Sequence, residues 1–499
     1  MYMTTSSLVW FSVALVFVTA VITKAATRRG HTVIDPPRSR LPQPPAVNGA
    51  SVIGLLYTLL TRGFPAMIQD QYSKLGSVFT VGFFGKNITF FIGPEVSAHF
   101  YQGPESEISH GNFFEFTVPI LGKEVGYGVD SVTRNEHVHF CIEALKPSKL
   151  RSYVGPMLQE VEDYFAKWGQ QGTVDLKHEL EQLLTLISSR CLLGKEVREK
   201  MFDEVFSLFH ELIKNGLRLT SVFFPYAPMP TNRRRDKARA RLSRIFIDIV
   251  RSRKSSTTVE VDVLQNLIDS KYKDGRPTTE AEVIGLIFGL LLVGMHLSAA
   301  TLKWGACHLL SHKKFLTAAI KEQQHIVEKY GDHIDYAVLL EMDTLHCCIK
   351  EALRMHPPIP VFFRKVHTNF TVQTKEGFEY EIPRGHTLVS PPLFNHKIPC
   401  IYRDPEVYDP NRFGPEREED KAGGKFSFTP FSGGRHACPG EAYAYMQMKV
   451  IWSHLLRNFE LKLVSPFPAT DWETFSSEPK GKVMVSYKRR LLPTDKMMN

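Results

Sequence analysis

Phe431-Ser432-Gly433-Gly434-Arg435-His436-Ala437-Cys438-Pro439-Gly440 is the stretch on which the reading of this 499-residue chain turns. One cysteine sits in a glycine-rich loop, directly ahead of a helical run from Glu441 to about Phe459. N–H groups at the start of a helix stabilise a thiolate, so a cysteine placed there suits metal binding as the anion. Glycines 433, 434 and 440 let the backbone lie close beneath a flat ligand without a Cβ in the way. Arg435 and His436 supply donors for carboxylates. The rival reading is a buried free thiol in a turn, which needs neither the glycines nor the two donors.

Working outward, the other six cysteines carry no metal spacing. Cys141, Cys191, Cys307, Cys347, Cys348 and Cys400 contain no C-x-x-C pair, and the adjacent Cys347 and Cys348 suit a disulfide poorly. They read as reduced, small apolar groups, which places the main body in a reducing compartment. A composition of 43% hydrophobic and 23% charged residues is that of a large globular core. The formal charge of +9 favours acidic partners or an anionic membrane surface, and no nucleic-acid-binding motif accompanies it.

The N-terminus has no charged side chain before Lys24, and residues 8–22 are almost all apolar. A helix over residues 1–24 would be roughly 35 Å long at about 1.5 Å per residue, enough to span a bilayer. Lys24, Arg28 and Arg29 follow at once, which predicts a single-pass anchor with the body in the cytosol. A cleaved signal peptide would carry a basic start, and this one does not. Prolines 36, 37, 42, 44 and 45 make residues 25–46 a stiff basic linker, leaving 47–499 as the catalytic domain.

In the body, apolar spacing predicts amphipathic helices over 134–150, 158–168 and 176–193, and strands at VFTVGFF and NITFFIG. A proline-rich break at 224–230 separates two helices, the second of them strongly basic. Such a run is ordinarily a solvated face, with membrane contact as the sharper alternative. Residues 281–310 are apolar nearly all round, which predicts a helix buried through the centre. The expected fold class is mainly α with small β-sheets.

The pattern F-x-x-G-R-x-x-C-x-G resembles the haem-thiolate monooxygenases of the cytochrome P-450 superfamily. Glu351-Ala352-Leu353-Arg354 matches that family's E-x-x-R helix, and Asp409-Pro410-Asn411-Arg412-Phe413 its later arginine loop. Glu and Arg three apart share a helix face, and Arg412 would complete a buried charge-assisted network that is structural in role. The resemblance implies haem b (iron protoporphyrin IX) with Cys438 as the metal ligand, and electrons from NADPH through NADPH–cytochrome P-450 reductase. It also implies an endoplasmic reticulum location and a polycyclic lipid substrate.

Tyr127-Gly128-Val129-Asp130, the segments around Phe224 and Ile268, and Cys348–Arg354 with His356-Pro357-Pro358 are similar to plant sterol 14α-demethylases. That likeness implies haem contacts at Tyr127, Arg364, His436, Arg435 and His139. It implies chemistry at Gly294, His296 and Ser298, and a substrate pocket at Phe114, Tyr127, Met295, Leu297, Ala299, Val361, Phe362, Ser476 and Ser477.

Departures cluster at this site. Leu297 replaces a threonine whose hydroxyl would organise protons, Phe114 replaces a tyrosine, and His139 an arginine or lysine. Phe475-Ser476-Ser477-Glu478 replaces an apolar hairpin tip. With these changes the chain resembles the divergent grass members that oxidise triterpenes such as β-amyrin for defence saponins, which implies hydroxylation, with epoxidation of a ring alkene as the further option. The alternatives are sterol 14α-demethylation of obtusifoliol, an isomerase or dehydratase needing no O2, and a haem-binding scaffold with little turnover.

Overall fold

The computed structural model describes residues 41–490, apart from 48–49, 84–85, 112, 257–261 and 473–475. The anchor predicted over 1–24, most of the linker predicted over 25–46, and Phe475 lie outside the described residues. The end of that linker belongs to the body. Pro45 accepts from Thr80 N at 2.9 Å, Pro42 accepts from Glu381 N at 2.9 Å, and Ala46–Val47 pairs in parallel with Thr80 and Val81.

Among the described residues helices dominate, with four sheets of two to six strands. The largest sheet runs Ala46–Val47, Val78–Phe83, Lys86–Phe91, Thr387–Ser390, Phe362–Val366 and Ile108–Ser109. Its central hairpin is antiparallel from Val78 opposite Phe91 to Phe83 opposite Lys86, so the two strand-like runs of the sequence are one unit. A second hairpin, Thr470–Asp471 with Glu478–Pro479, brings the chain's C-terminal part against the centre.

One helix decides the geometry. It runs Glu280–Ser311 and is the one helix among the described residues long and apolar enough to cross a membrane. It is a core element instead: Ile287, Phe288, Ala300, Trp304 and Cys307 are fully buried. Its start is sharp because Thr279 forms a capping box. The Thr279 hydroxyl accepts from Glu282 N at 3.2 Å, and the Glu282 carboxylate accepts from Thr279 N at 2.7 Å. Midway, residues Leu292–Leu297 adopt π-helical turns before the α-helix resumes at Ser298. Such bulges widen a helix locally and recur at functional sites.

Helix boundaries differ from the periodicity: the helix predicted over 158–168 already begins at Pro147, and the one over 176–193 is α-helical to Ser188 and π-helical from there. The apolar pattern over 134–150 breaks at Lys146, because Pro147 cannot continue a helix but can open one. The result is two helices, Ser131–Ala144 and Pro147–Ala166, the second carrying Pro156 in its interior. The basic helix, Pro230–Ser255, is not uniformly a solvated face. Arg235 is 2% exposed and donates to the Pro225 carbonyl at 2.9 Å, so it ties the proline break to the helix. The cysteine loop leads into the predicted helix, found at Glu441–Asn458.

A candidate haem-thiolate active site

The cysteine loop is held by its own backbone first. Cys438 N donates to the Phe431 carbonyl at 2.9 Å and Ser432 N to Thr429 at 3.1 Å. Ser432 has φ +61°, a left-handed conformation that a non-glycine residue rarely adopts and that clusters at functional sites. Gly434, at φ +59°, is required: a Cβ there would lie 2.2 Å from the Tyr101 carbonyl. Gly440 caps the following helix, and a Cβ on it would make only ordinary contact with Cys438 Sγ at 3.7 Å. Burial pushes the Cys438 thiol up, while the Gly440 amide hydrogen-bonded to it pulls the other way. A metal cation at the sulfur would decide that balance in favour of the thiolate.

The brace behind the loop is complete. Arg354 donates to both Glu351 carboxylate oxygens at 2.7 and 2.9 Å, and Arg412 Nε to the same carboxylate at 3.0 Å. Arg412 reaches Glu419 at 2.6 Å and the carbonyls of Arg403 and Val407 at 2.9 and 3.1 Å. All three predicted residues are at most 1% exposed. The connection to the loop runs through His396, whose carbonyl accepts from Arg354 at 2.9 Å and whose Nε2 accepts from Thr429 N at 2.9 Å. His396 was not legible as part of the brace, because no local pattern marks it.

On the other side, donors converge without acceptors. Arg364 is 1% exposed and donates from Nη1 to the Phe363 carbonyl at 2.9 Å, while its Nε and Nη2 have no hydrogen-bond partner among the described residues. Around it stand Tyr127, Arg134, His110 and His436. Burial holds Arg364 down to about 10. Burial, with Arg364 and other cations, takes His110 to about 2 and His436 to about 3. Glu105 is the carboxylate beside them, 3.4 Å from His436 and 3.9 Å from Arg134. Two unpartnered nitrogens of a buried guanidinium, ringed by neutral imidazole and phenol groups, fit a ligand bearing carboxylates. Phe114 stacks on Tyr127 at 4.9 Å and packs edge-on to His110 at 5.7 Å.

The profile of the Cytochrome P450 family matches residues 42–485. The chain belongs to the cytochrome P450 family. Its enzymes are monooxygenases that hold haem through a cysteine thiolate and take electrons from a redox partner, and the cysteine loop and orphaned donors here fit that group. The chain is 54% identical over 91% of its length, and 92% of the relative's, to an obtusifoliol 14-alpha demethylase of Sorghum bicolor. It is 51% identical over 92% of its length, and 93% of the relative's, to a sterol 14-demethylase of Arabidopsis thaliana. Among solved structures, a cyanobacterial CYP120A1 with retinoic acid bound superposes with a TM-score of 0.78 at 23% identity, over 91% of this chain and all of that one, which shows the shared fold.

These relatives correct the expected activity. At this identity over nine-tenths of the chain, sterol demethylases are the nearer comparison, and triterpene hydroxylation drops out as the main reading. The reason it was overvalued is visible at the hairpin tip. Ser476 and Ser477 are 2% and 1% exposed, so they do not add open hydroxyls to a substrate cavity. Ser476 is taken up by the central helix of this P450, and Ser477 meets that helix through its backbone carbonyl, its own hydroxyl buried without a hydrogen-bond partner among the described residues. Ser476 Oγ is 2.9 Å from His296 Nε2, and Trp304 Nε1 donates to the Ser477 carbonyl at 3.2 Å. Glu478 accepts from Lys303 Nζ at 3.0 Å, and Lys303 donates also to Glu181 at 2.6 Å. Lys303, fully buried on that helix, demanded a counter-ion.

The remaining predicted residues fall in two groups. Gly294, Met295, His296 and Leu297 line the π-helical turns and are partly exposed, whereas Ser298 and Ala299 are buried at 6% and 3%. The Gly294 carbonyl accepts from Gln447 Nε2 at 3.0 Å, which pins the bulge to the cysteine helix. Phe362 is buried at the start of its strand, with Val361 beside it. Arg435 is exposed and donates to the Gln102 carbonyl at 3.0 Å. His139 is exposed on the helix Ser131–Ala144, and Arg134 of that helix lies over the Tyr127 ring at 5.1 Å. Gln447, Lys303 and Arg134 escaped the sequence reading; a lysine in a wholly apolar helix was the available signal.

Proposed function

We propose that this chain is a sterol 14α-demethylase acting on an obtusifoliol-type sterol at the endoplasmic reticulum membrane. Support comes above all from 51–54% identity to sterol 14-demethylases over nine-tenths of the chain. In this reading residues 1–24 are a single-pass anchor, 25–41 the linker, and the rest a cytosolic catalytic domain served by an NADPH-dependent reductase.

Each residue then has a task. Cys438 would hold the iron, and Arg364, Tyr127, His436, Arg435 and His139 would serve the haem carboxylates. The bound haem activates O2, and its thiolate ligand favours O–O cleavage. Phe114, Met295, Leu297, Ala299, Val361 and Phe362 form an apolar wall that excludes water and presents the sterol methyl group. Gly294 fixes the bulge through its carbonyl, and His296 moves protons there, with Ser298 in the turn behind it. Leu297 has no hydroxyl, so His296 carries more of that work than in a site with a threonine.

Coexpression with a reductase and incubation with obtusifoliol is the test. The expected products are formate and the 14-desmethyl sterol by mass spectrometry. Unchanged obtusifoliol from a preparation with full haem content would refute the reading.

A further inference from the structure

Three consecutive residues of the C-terminal hairpin, Ser476, Ser477 and Glu478, pair with His296, Trp304 and Lys303 of the central helix. The ion chain continues outward. Lys303 is 0% exposed and bridges Glu478, 11% exposed, to Glu181, 32% exposed on a different helix. Inward, Glu478 Oε1 lies 3.5 Å from His296 Nδ1, a charge contact rather than a hydrogen bond, and accepts no hydrogen bond among the described residues. The sequence places none of these groups near one another.

We propose that Glu478 and Lys303 are positioning residues that hold His296 in its Nδ1–H form, with Nε2 facing the Ser476 hydroxyl, so that the imidazole relays protons at the bulge where Leu297 offers no hydroxyl. The carboxylate faces Nδ1, which assigns the proton there, and Nε2 then accepts from Ser476. During relay Nε2 takes up one proton, which solvent supplies through the Ser476 hydroxyl, and releases one proton from the same nitrogen at the bulge, while Nδ1 keeps its own proton against Glu478. The ring returns to neutral, Glu478 stays ionised and Lys303 stays charged, so solvent is the proton source and no further reactant is consumed. Glu181, at the partly exposed end, helps to keep Lys303 charged.

The electrostatics agree with this arrangement. Burial would raise the Glu478 carboxyl, but Lys303, His296 and Lys177 outweigh it and hold it down to about 2. Burial lowers His296, with Glu478 opposing; Lys303, Glu181 and His210 are the other charged or titratable groups facing it. The imidazole is therefore neutral at rest, beside an anion that stabilises its brief protonation.

This inference rests on the proposed sterol reaction, and the test separates the two. Glu478→Gln leaves Lys303 paired with Glu181, so the buried ammonium keeps a partner. Ring-nitrogen NMR of His296 in the ferrous carbon-monoxide form should show Nδ1 protonated in the parent protein and a shift toward Nε2–H in Glu478→Gln. Product formed per NADPH should fall roughly tenfold, as for other losses of a group that orients a working histidine. The acid limb of the pH profile should move down, and sterol-induced spectral binding should stay within about twofold, since the wall is intact. Glu478→Asp should restore tautomer and coupling in part. An unchanged tautomer in Glu478→Gln would overturn the proposal, as would binding lost in proportion to coupling. A parent protein inactive on obtusifoliol would instead refute the substrate reading, leaving the NMR result to stand by itself.

Discussion

Two buried ionic networks lie on either side of the haem site, and they are built on opposite principles. The Glu351–Arg354–Arg412 brace gives both carboxylate oxygens donors, three on Oε1 and one on Oε2, and uses nearly every guanidinium proton, with backbone carbonyls taking the remainder. The Glu181–Lys303–Glu478–His296 chain is thinner, runs toward the surface, and leaves one Glu478 oxygen 3.5 Å from its histidine. A saturated network has no freedom to exchange protons and serves as scaffold. An undersaturated one with a titratable group at its end can move them. Burial alone does not distinguish the two; satisfaction does.

The largest break would come at the metal ligand. Cys438→Ala should abolish turnover and the absorbance band typical of thiolate coordination in the reduced, carbon-monoxide-treated protein. A retained band would mean that sulfur at this position is not the ligand.

Next is the brace. Glu351→Gln leaves Arg354 and Arg412 as buried charges without their shared anion, a change that costs about 3–5 kcal/mol when one partner of a buried pair is removed. Expression should fall sharply, and the protein recovered should bind haem poorly, as read from the haem-to-protein absorbance ratio.

The relay gives a smaller effect with a definite sign. Glu478 is held near 2, below its value of about 4.3 in an unfolded chain. Its contribution to stability is therefore present above about pH 4 and is lost as pH falls through the folded value toward 2. Thermal midpoints of the parent should drop more steeply than those of Glu478→Gln across that window. Parallel curves would show that the carboxylate is not held down by Lys303.

The smallest effect belongs to the cap. Thr279→Ala removes the capping box at the start of the central helix and should cost about 1 kcal/mol, seen as a lower denaturant midpoint with haem content unchanged.

Legibility in the sequence follows the same division. Glu351 and Arg354 sit three apart on one helix, and Cys438 sits in a ten-residue pattern, so local spacing carries them. The central helix is legible because its apolar residues leave no polar face. By contrast, His296 and Glu478 are 182 positions apart, and only the fold brings the hairpin tip to the helix. Ser476, Ser477 and Glu478 looked like new pocket groups because their partners were invisible. The bulge at Leu292–Leu297 was equally hidden, since a π-helical turn has no compositional mark, and the Gln447 contact that pins it comes from another element. The break at Pro147 was in plain view and lost to an apolar period that runs through it.

Holoprotein content and coupling, measured on the same samples of Glu351→Gln and Glu478→Gln, test the division most directly. The account predicts that Glu351→Gln loses the thiolate-type carbon-monoxide band, while Glu478→Gln keeps it in full and loses product per NADPH. A Glu351→Gln protein with full band and unaltered stability, or a Glu478→Gln protein that loses its haem, would contradict it.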